Sequence, residues 1–204
     1  MSAERPIVVA ITGASGAPYA VRLVRALVEL QQPTWLIISS HGYRLLSTEV
    51  GIADQAALRR AVGAAGWDVH VRAFDDGDRG ALPASGSVRT RGMVICPCSM
   101  GPVASIAAGT SRSLVERAAD VTLKERRRLV LVPRETPFSV IHLQNLLTLT
   151  HAGAVVLPAA PGFYHNPRSI GDLVDFVVAR VLDQFDLDHT VGRRWDGGSP
   201  PVGA

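Results

Sequence analysis

Short apolar runs alternate with amphipathic stretches along almost the whole chain. Residues 7–12 form the first run and close on Gly13-Ala14-Ser15-Gly16, after which Ala20, Leu23, Leu27 and Leu30 recur at helical spacing. This pattern predicts a strand, a tight turn and a helix. Further strands are predicted over 34–39, 69–74, 91–96, 129–133 and 154–157, the fourth breaking at Pro97. Helical spacing covers 43–50, 54–64, 103–108, 114–124, 139–152 and 170–185, with Gly and Pro as punctuation. Residues 75–87 are polar and rich in Gly and Pro, which predicts a long surface loop, and 197–204 read as frayed. Parallel neighbours need crossover connections, and the connections here are helical. The expected fold is therefore α/β: a parallel sheet with helices on both faces, flavodoxin-like or Rossmann-like.

With 204 residues, 47% of them hydrophobic, the chain has enough apolar material for a sizeable core. Neither a repeat nor a linker interrupts it, so one domain is expected over 1–204, with its core at about 6–187 and a C-terminal tail at 188–204. Apolar runs such as 129–133 and 152–160 fall well short of the ~20 residues of a membrane-spanning helix. The first residues lack the pattern of an export signal, which leaves the cytoplasm as the expected location. The net charge is +3, but the cations are scattered, with Arg126-Arg127-Arg128 the longest run, so a solvated surface is expected and not a nucleic-acid site. Cys96 and Cys98 lie too close for an ordinary disulfide and lack metal-site spacing, and they read as reduced. No histidines pair at ligand spacing, so no metal site is expected. Lys124 is the only lysine.

Ligands of open α/β sheets bind beyond the carboxyl ends of the strands. Those ends carry Thr12-Gly13-Ala14-Ser15-Gly16, Ser39-Ser40-His41-Gly42, Pro97-Cys98-Ser99-Met100-Gly101 and Arg134-Glu135-Thr136-Pro137. Gly13 and Gly16 permit a sharp turn, and the helix opening near Pro18 is expected to present free amides and a positive dipole end to an anion. A structural turn capped by Ser15 is the alternative. Neither the dinucleotide Gly-x-Gly-x-x-Gly nor the Gly-x-x-x-x-Gly-Lys phosphate loop is present. Glu135, beside Arg134, reads as an acid or base tuned by its neighbour, or as a surface carboxylate paired with Arg; Glu49 has the same two readings. Lys124 ends its helix, where a cation is favourable for dipole reasons alone, and His165 beside Tyr164 is a candidate polar contact.

Six segments taken together are far more specific: Thr12-Gly13-Ala14-Ser15-Gly16-Ala17, Cys96-Pro97-Cys98-Ser99-Met100, Glu116-Arg117-Ala118-Ala119-Asp120-Val121, Lys124-Glu125-Arg126-Arg127, Pro133-Arg134-Glu135-Thr136-Pro137 and Pro161-Gly162-Phe163-Tyr164-His165. The set closely resembles the UbiX family of flavin prenyltransferases, over about residues 7–195. The resemblance implies a dodecamer that binds FMN between subunits and joins a dimethylallyl group from dimethylallyl phosphate to N5 and C6 of reduced FMN. The product would serve as cofactor for UbiD-type decarboxylases.

By the same resemblance Gly13, Ala14, Ser15, Ser39, Ser99, Met100, Gly101, Pro102, Arg117 and Arg134 would hold FMN. Ser15, near flavin N5, would act in catalysis with Glu49, Lys124 and Glu135. Lys124, Glu135, Tyr164 and Arg180 would hold the prenyl phosphate, with Tyr164 and Arg180 coming from a neighbouring subunit, and Trp195 would cover the prenyl group. Cations and hydroxyls suit a departing phosphate, and π faces suit the allylic cation it leaves. Asp75-Asp76-Gly77-Asp78 lacks the Asp-Asp-x-x-Asp spacing of magnesium-dependent prenyltransferases, which accords with a metal-free reaction. The chain departs from the family pattern at Ser40-His41, where Lys-Ala is more usual after the serine, and at Gly101-Pro102, where Lys-Thr or Gly-Thr is commoner. Two rival readings are an FMN-dependent decarboxylase of the peptidyl-cysteine type and a non-catalytic FMN carrier. Neither has a use for the four phosphate-suited side chains.

Overall fold

All five residues of β1 (Ile7–Ile11) are buried, as a strand covered on both faces requires. In the computed structural model, which describes residues 5–194, β1 is flanked by β2 (Thr34–Ile38) and β4 (Gly92–Cys98). Outside them lie β3 (Val71–Asp75), β5 (Arg128–Pro133) and the two-residue β6 (Val155–Val156). Every pairing is parallel, and the order is β3-β2-β1-β4-β5-β6. The chain winds outward from β1 to β3, returns to the other side of β1 and winds outward again. The doubly wound sheet therefore has its switch point between β1 and β4.

Alternate side chains of the strands build two cores. Ile7, Val9, Ile11, Leu36, Val94 and Val130 face one layer, formed by α1 (Ala17–Glu29), α2 (Ser40–Val50), α3 (Gln55–Val62), α4 (Ala64–His70) and α8 (Ile170–Asp183). Val8, Ala10, Ile37, Ile95 and Leu131 face the other, formed by α5 (Met100–Ala107), α6 (Leu114–Lys124) and α7 (Val140–His151). The start of α8 is set by a reciprocal cap: Ser169 Oγ accepts from the Asp172 amide at 3.2 Å, and Asp172 Oδ2 accepts from the Ser169 amide at 3.1 Å.

Among the boundaries that differ from the sequence reading, four have a clear physical cause. The apolar run at 69–74 opens inside α4, and β3 begins only at Val71, because Val69 points to solvent (75% exposed) while Trp67 fills the core. Gly66 lets α4 lie close on α1, since a Cβ there would sit 2.5 Å from Val28 Cγ1. β4 does not stop at Pro97 but continues to Cys98, with a register shift against β5 between Ile95 and Cys98. Proline lacks the ladder N–H, so the pairing slips there while the Pro97 carbonyl stays in use. α5 starts at Met100, three residues early, and α2 at Ser40, each directly behind a serine in extended conformation. Cys96 and Cys98 are free thiols, and burial pushes that of Cys96 up to about 12 and that of Cys98 up as well.

Leu36→Ala leaves a cavity in the first core beside α1 and is expected to cost about 2–5 kcal/mol. A urea midpoint lowered at unchanged slope is the measurement that checks it.

Candidate active site

Thr12, the residue directly after β1, seams the switch point. Its amide and its hydroxyl both donate to the Pro97 carbonyl, at 3.2 and 3.0 Å, and the hydroxyl oxygen accepts from the Ser99 amide at 2.9 Å. The Ser99 hydroxyl lies 3.3 Å from the same oxygen. These bonds join the ends of β1 and β4. On the other side the Ser39 amide donates to the Ile11 carbonyl at 3.0 Å, and Ser39 Oγ caps α2 by accepting from Gly42 at 3.1 Å. Gly42 is forced by this approach, since a Cβ would lie 2.5 Å from the Ile11 carbonyl oxygen. Gly13 is equally constrained, its would-be Cβ 2.5 Å from His41 Cβ, so the loops after β1 and β2 interlock.

Arg134 closes the rim from β5. Its amide donates to the Cys98 carbonyl at 3.3 Å, and its Nε donates to the Ser15 carbonyl at 3.1 Å. One carboxyl edge thus carries Gly13, Ala14, Ser15, Ser39, Ser99, Met100 and Arg134 together. Glu135 follows, half-buried, with its Oε1 accepting from the Thr136 amide at 3.1 Å. Arg117 lies in the first turns of α6 and pairs with Asp120 at 2.8 Å. That end of α6 is pinned to the carboxyl end of β3, the Leu114 amide donating to the Asp76 carbonyl at 2.7 Å.

The amides of α1 are not free, contrary to the sequence expectation. Glu49 Oε2 accepts from Gly16 at 2.9 Å and from Ala17 at 2.8 Å; Pro18 has no N–H; Tyr19 donates to the Gly16 carbonyl at 3.0 Å. Ser15 is not the cap either: Gly16 is the N-cap residue, and a carboxylate 33 residues away supplies the acceptor. Burial alone would raise the Glu49 pKa, but the Gly16 amide, the Ser15 hydroxyl, the Ala17 amide and the Arg134 charge together hold it below the ordinary carboxylate value. An anion so occupied is suited to capping more than to taking a proton.

The open helix end is that of α5. Ser99 forms no side-chain cap, so among the described residues no side chain accepts from the amides of Met100 and Gly101. Pro102 offers no amide, and nothing lies within 4 Å of where a Gly101 Cβ would be. Two unfilled amides, a positive dipole end and open space at a switch point fit the phosphate of a bound nucleotide-like group. FMN carries such a phosphate and meets that description.

The remaining candidates lie elsewhere on the same chain. Lys124 ends α6, whose chain enters β5 at Arg128 on the amino edge of the sheet, and its ammonium holds Glu125 at 2.6 Å. Arg180, in the last turn of α8, also belongs to that side, because the neighbouring Gln184 carbonyl accepts from Arg128. It lines a groove beside β6 with Val155, Leu157, Pro158 and Phe176. Tyr164, on the segment between β6 and α8, meets the rings of His165 and Phe176 edge-on, each at 5.8 Å. Among the described residues His165 forms no hydrogen bond through its ring nitrogens, which are buried; it lies flat on Phe176 at 5.4 Å and acts on the Asp172 carboxylate through its charge alone. Trp195 lies outside the described residues. Sequence reasoning gave Thr12 no role of its own, although a hydroxyl closing a buried apolar strand was the available signal.

The flavoprotein family model matches residues 1–182. Flavin prenyltransferase UbiX of Pseudomonas aeruginosa is 49% identical over 202 residues, 96% of each chain. The chain belongs to the flavoprotein family, among the UbiX flavin prenyltransferases. Solved UbiX proteins share the fold closely. One crystallised with FMN and dimethylallyl pyrophosphate has a TM-score of 0.88 at 42% identity, covering 96% of this chain and 100% of that one. A dodecameric FMN-dependent UbiX-like decarboxylase from Escherichia coli O157:H7 has a TM-score of 0.86 at 42% identity, covering 94% and 100%.

Glu49→Ala removes the cap of α1 and is expected to cost about 1 kcal/mol. Since its pKa is depressed in the folded state, the contribution of Glu49 is complete above its ordinary value of 4.5 and fades as pH falls through the folded value. Glu49→Gln should therefore flatten the acid limb of stability below about pH 4.5, read as urea midpoints across pH.

Proposed function

We propose that this chain transfers a dimethylallyl group from dimethylallyl phosphate to N5 and C6 of reduced FMN, making prenylated FMN for a UbiD-type decarboxylase. The observation that carries the reading is the rim at the β1–β4 switch point, where Thr12 and Arg134 gather Gly13 to Ser15, Ser39, Ser99 and Met100 in a chain with UbiX relatives at nearly half identity. When bound there, reduced FMN supplies the electron-rich atoms that accept the prenyl group.

The chain's own residues divide the work. The α5 amides and Ser39 hold the flavin phosphate, Arg117 and Arg134 flank the flavin, and Ser15 lies at its N5. Glu49 keeps Ser15 and the turn below it in place. Gly101-Pro102 leaves the phosphate two amides and no side-chain hydroxyl at those positions. Lys124, Arg180 and Tyr164 neutralise and hydrogen-bond the departing phosphate as charge gathers on its oxygens. Glu135 moves a proton between that phosphate and the acceptor. Trp195 covers the prenyl group.

Lys124 and Arg180 stand at the opposite edge from Glu135, so a complete site combines copies of the chain. Support comes from surface that a lone chain leaves bare: Val140, Ile141, Leu143 and Leu147 on α7, with Phe163 and Ile170 before and at the start of α8, are exposed. A dodecamer, as in the Escherichia coli relative, would bury such surface. No helix among the described residues is long and apolar enough to cross a membrane.

Protein supplied anaerobically with reduced FMN and dimethylallyl phosphate should yield flavin heavier by one dimethylallyl unit on mass spectrometry, and a parallel reaction with the diphosphate ranks the two donors. Unchanged flavin with both donors, beside a working control enzyme, overturns the reading. Glu135→Gln should keep FMN bound yet slow prenylation by about 10²–10⁴-fold, whereas a flavin carrier would lose nothing. Lys124→Ala and Glu135→Gln, each impaired alone, should regain activity in mixed oligomers, because some composite sites then contain both native residues.

A further inference from the structure

Asp183, the last residue of α8, is shared by three partners. Its Oδ2 accepts from Arg180 Nη1 at 2.8 Å, while its Oδ1 accepts from Arg194 Nη2 at 2.8 Å and from His189 Nε2 at 3.2 Å. The carboxylate is 19% exposed and the His189 side chain 1%. His189 Nδ1 accepts from the Val191 amide at 3.2 Å, which leaves its proton on Nε2, pointing at Asp183. Val191 packs into the first core, and Gly192 (φ 70°) lies against α8, its would-be Cβ 3.3 Å from the Asp175 carbonyl and 3.4 Å from Ala179 Cβ. Burial alone would raise the Asp183 pKa, but hydrogen bonds from Arg194 and His189 and the charges of Arg194 and Arg180 hold it low, so the group stays an anion.

One carboxylate thus faces two guanidiniums, and the cluster keeps an excess of positive charge. The Arg180 side chain is 55% exposed and turns that excess toward the groove beside β6. An anion arriving there competes with Asp183 for Arg180. Whatever hold Arg180 gives up on Asp183 strengthens the hold of Arg194 and His189, because charge-assisted bonds share one pair of oxygens.

We propose that Asp183 is a positioning residue that couples Arg180 to the C-terminal segment, so that an allylic phosphate docking on Arg180 tightens residues 189–194 against α8. The proposal rests on the reading of Arg180 as a phosphate ligand and deepens it. Coupling of this kind is reciprocal: a firmly seated segment raises affinity for the donor.

Hydrogen exchange of the amides at 189–194, in the assembled protein carrying FMN, tests this. With dimethylallyl phosphate, exchange at Val191 should slow about fivefold, at the low end for such coupling because the pairs are partly exposed; inorganic phosphate should produce a smaller slowing. In Asp183→Asn the donor-dependent slowing should vanish and KM for the donor should fall, since Arg180 loses its competing carboxylate, with kcat changed less; Asp183→Glu should restore part of both. A purely structural Asp183 would speed exchange in Asp183→Asn yet leave the donor's slowing ratio intact, which overturns the proposal. Should Asp183→Asn fail to fold, Arg194→Gln removes the segment's grip without touching Arg180, and a full donor response in it is equally fatal. Wild-type protein that prenylates flavin but shows no donor-dependent exchange overturns the coupling alone. Wild-type protein that makes no product removes both the activity and the coupling.

Discussion

The hydroxyl of Thr12 is the interaction on which the rim depends. At a switch point the chain leaves two neighbouring strands in opposite directions, and no loop fills the crevice between them. The polar groups at its floor still need partners, because an unpaired buried donor costs about 1–3 kcal/mol. Thr12 meets that need with one side chain, accepting from Ser99 while donating to Pro97, so the crevice stays open above a satisfied floor. Arg134 and Gly42 then hold the β5 and β2 loops against the same seam.

Electrostatics then divides the crevice. Two helices open onto it, and each offers a positive end to an anion. Glu49 neutralises that of α1 from within the chain, whereas no side chain among the described residues caps that of α5. The two ends thereby differ: a carboxylate of the chain fills one and stiffens its turn, and the other stays open to an external anion. The prolines sharpen the contrast, since Pro18 and Pro102 each remove an amide and make the count of donors small.

The sheet has two edges, and the candidate residues are divided between them. Gly13 to Ser15, Ser39, Ser99 and Arg134 occupy the carboxyl edge, while Lys124 and Arg180 stand where α6 and α8 end, beside the amino edge. Val140, Ile141, Leu143 and Leu147 of α7 are left bare on an isolated chain, and Tyr164, His165 and Phe176 form an aromatic cluster beside α8. Asp183 joins Arg180 to the segment running back along α8.

Much of this was legible before any coordinates. Residues 7–12, 34–39 and 129–133 read as strands because a fully buried strand is an unbroken apolar run between turn formers, and Ser39, Ser99 and Arg134 could be placed at one rim because parallel strands end on the same side. Val69 misled because an apolar residue on an exposed helical turn is indistinguishable from the opening of a strand. Pro97 misled because its missing N–H is visible in sequence while the use of its carbonyl by Thr12 is not. The composition and periodicity of the chain determined the layers, the parallel sheet and the list of chemically capable residues, since these depend on local spacing. Tertiary structure alone decided that Glu49 fills the end of α1, that α5 keeps its own open, that Asp183 ties Arg180 to Arg194 and that Lys124 faces away from Glu135. Those outcomes depend on which atoms from distant parts of the chain arrive within about 3 Å of one another, and hydrogen bonding is decided at that range by packing.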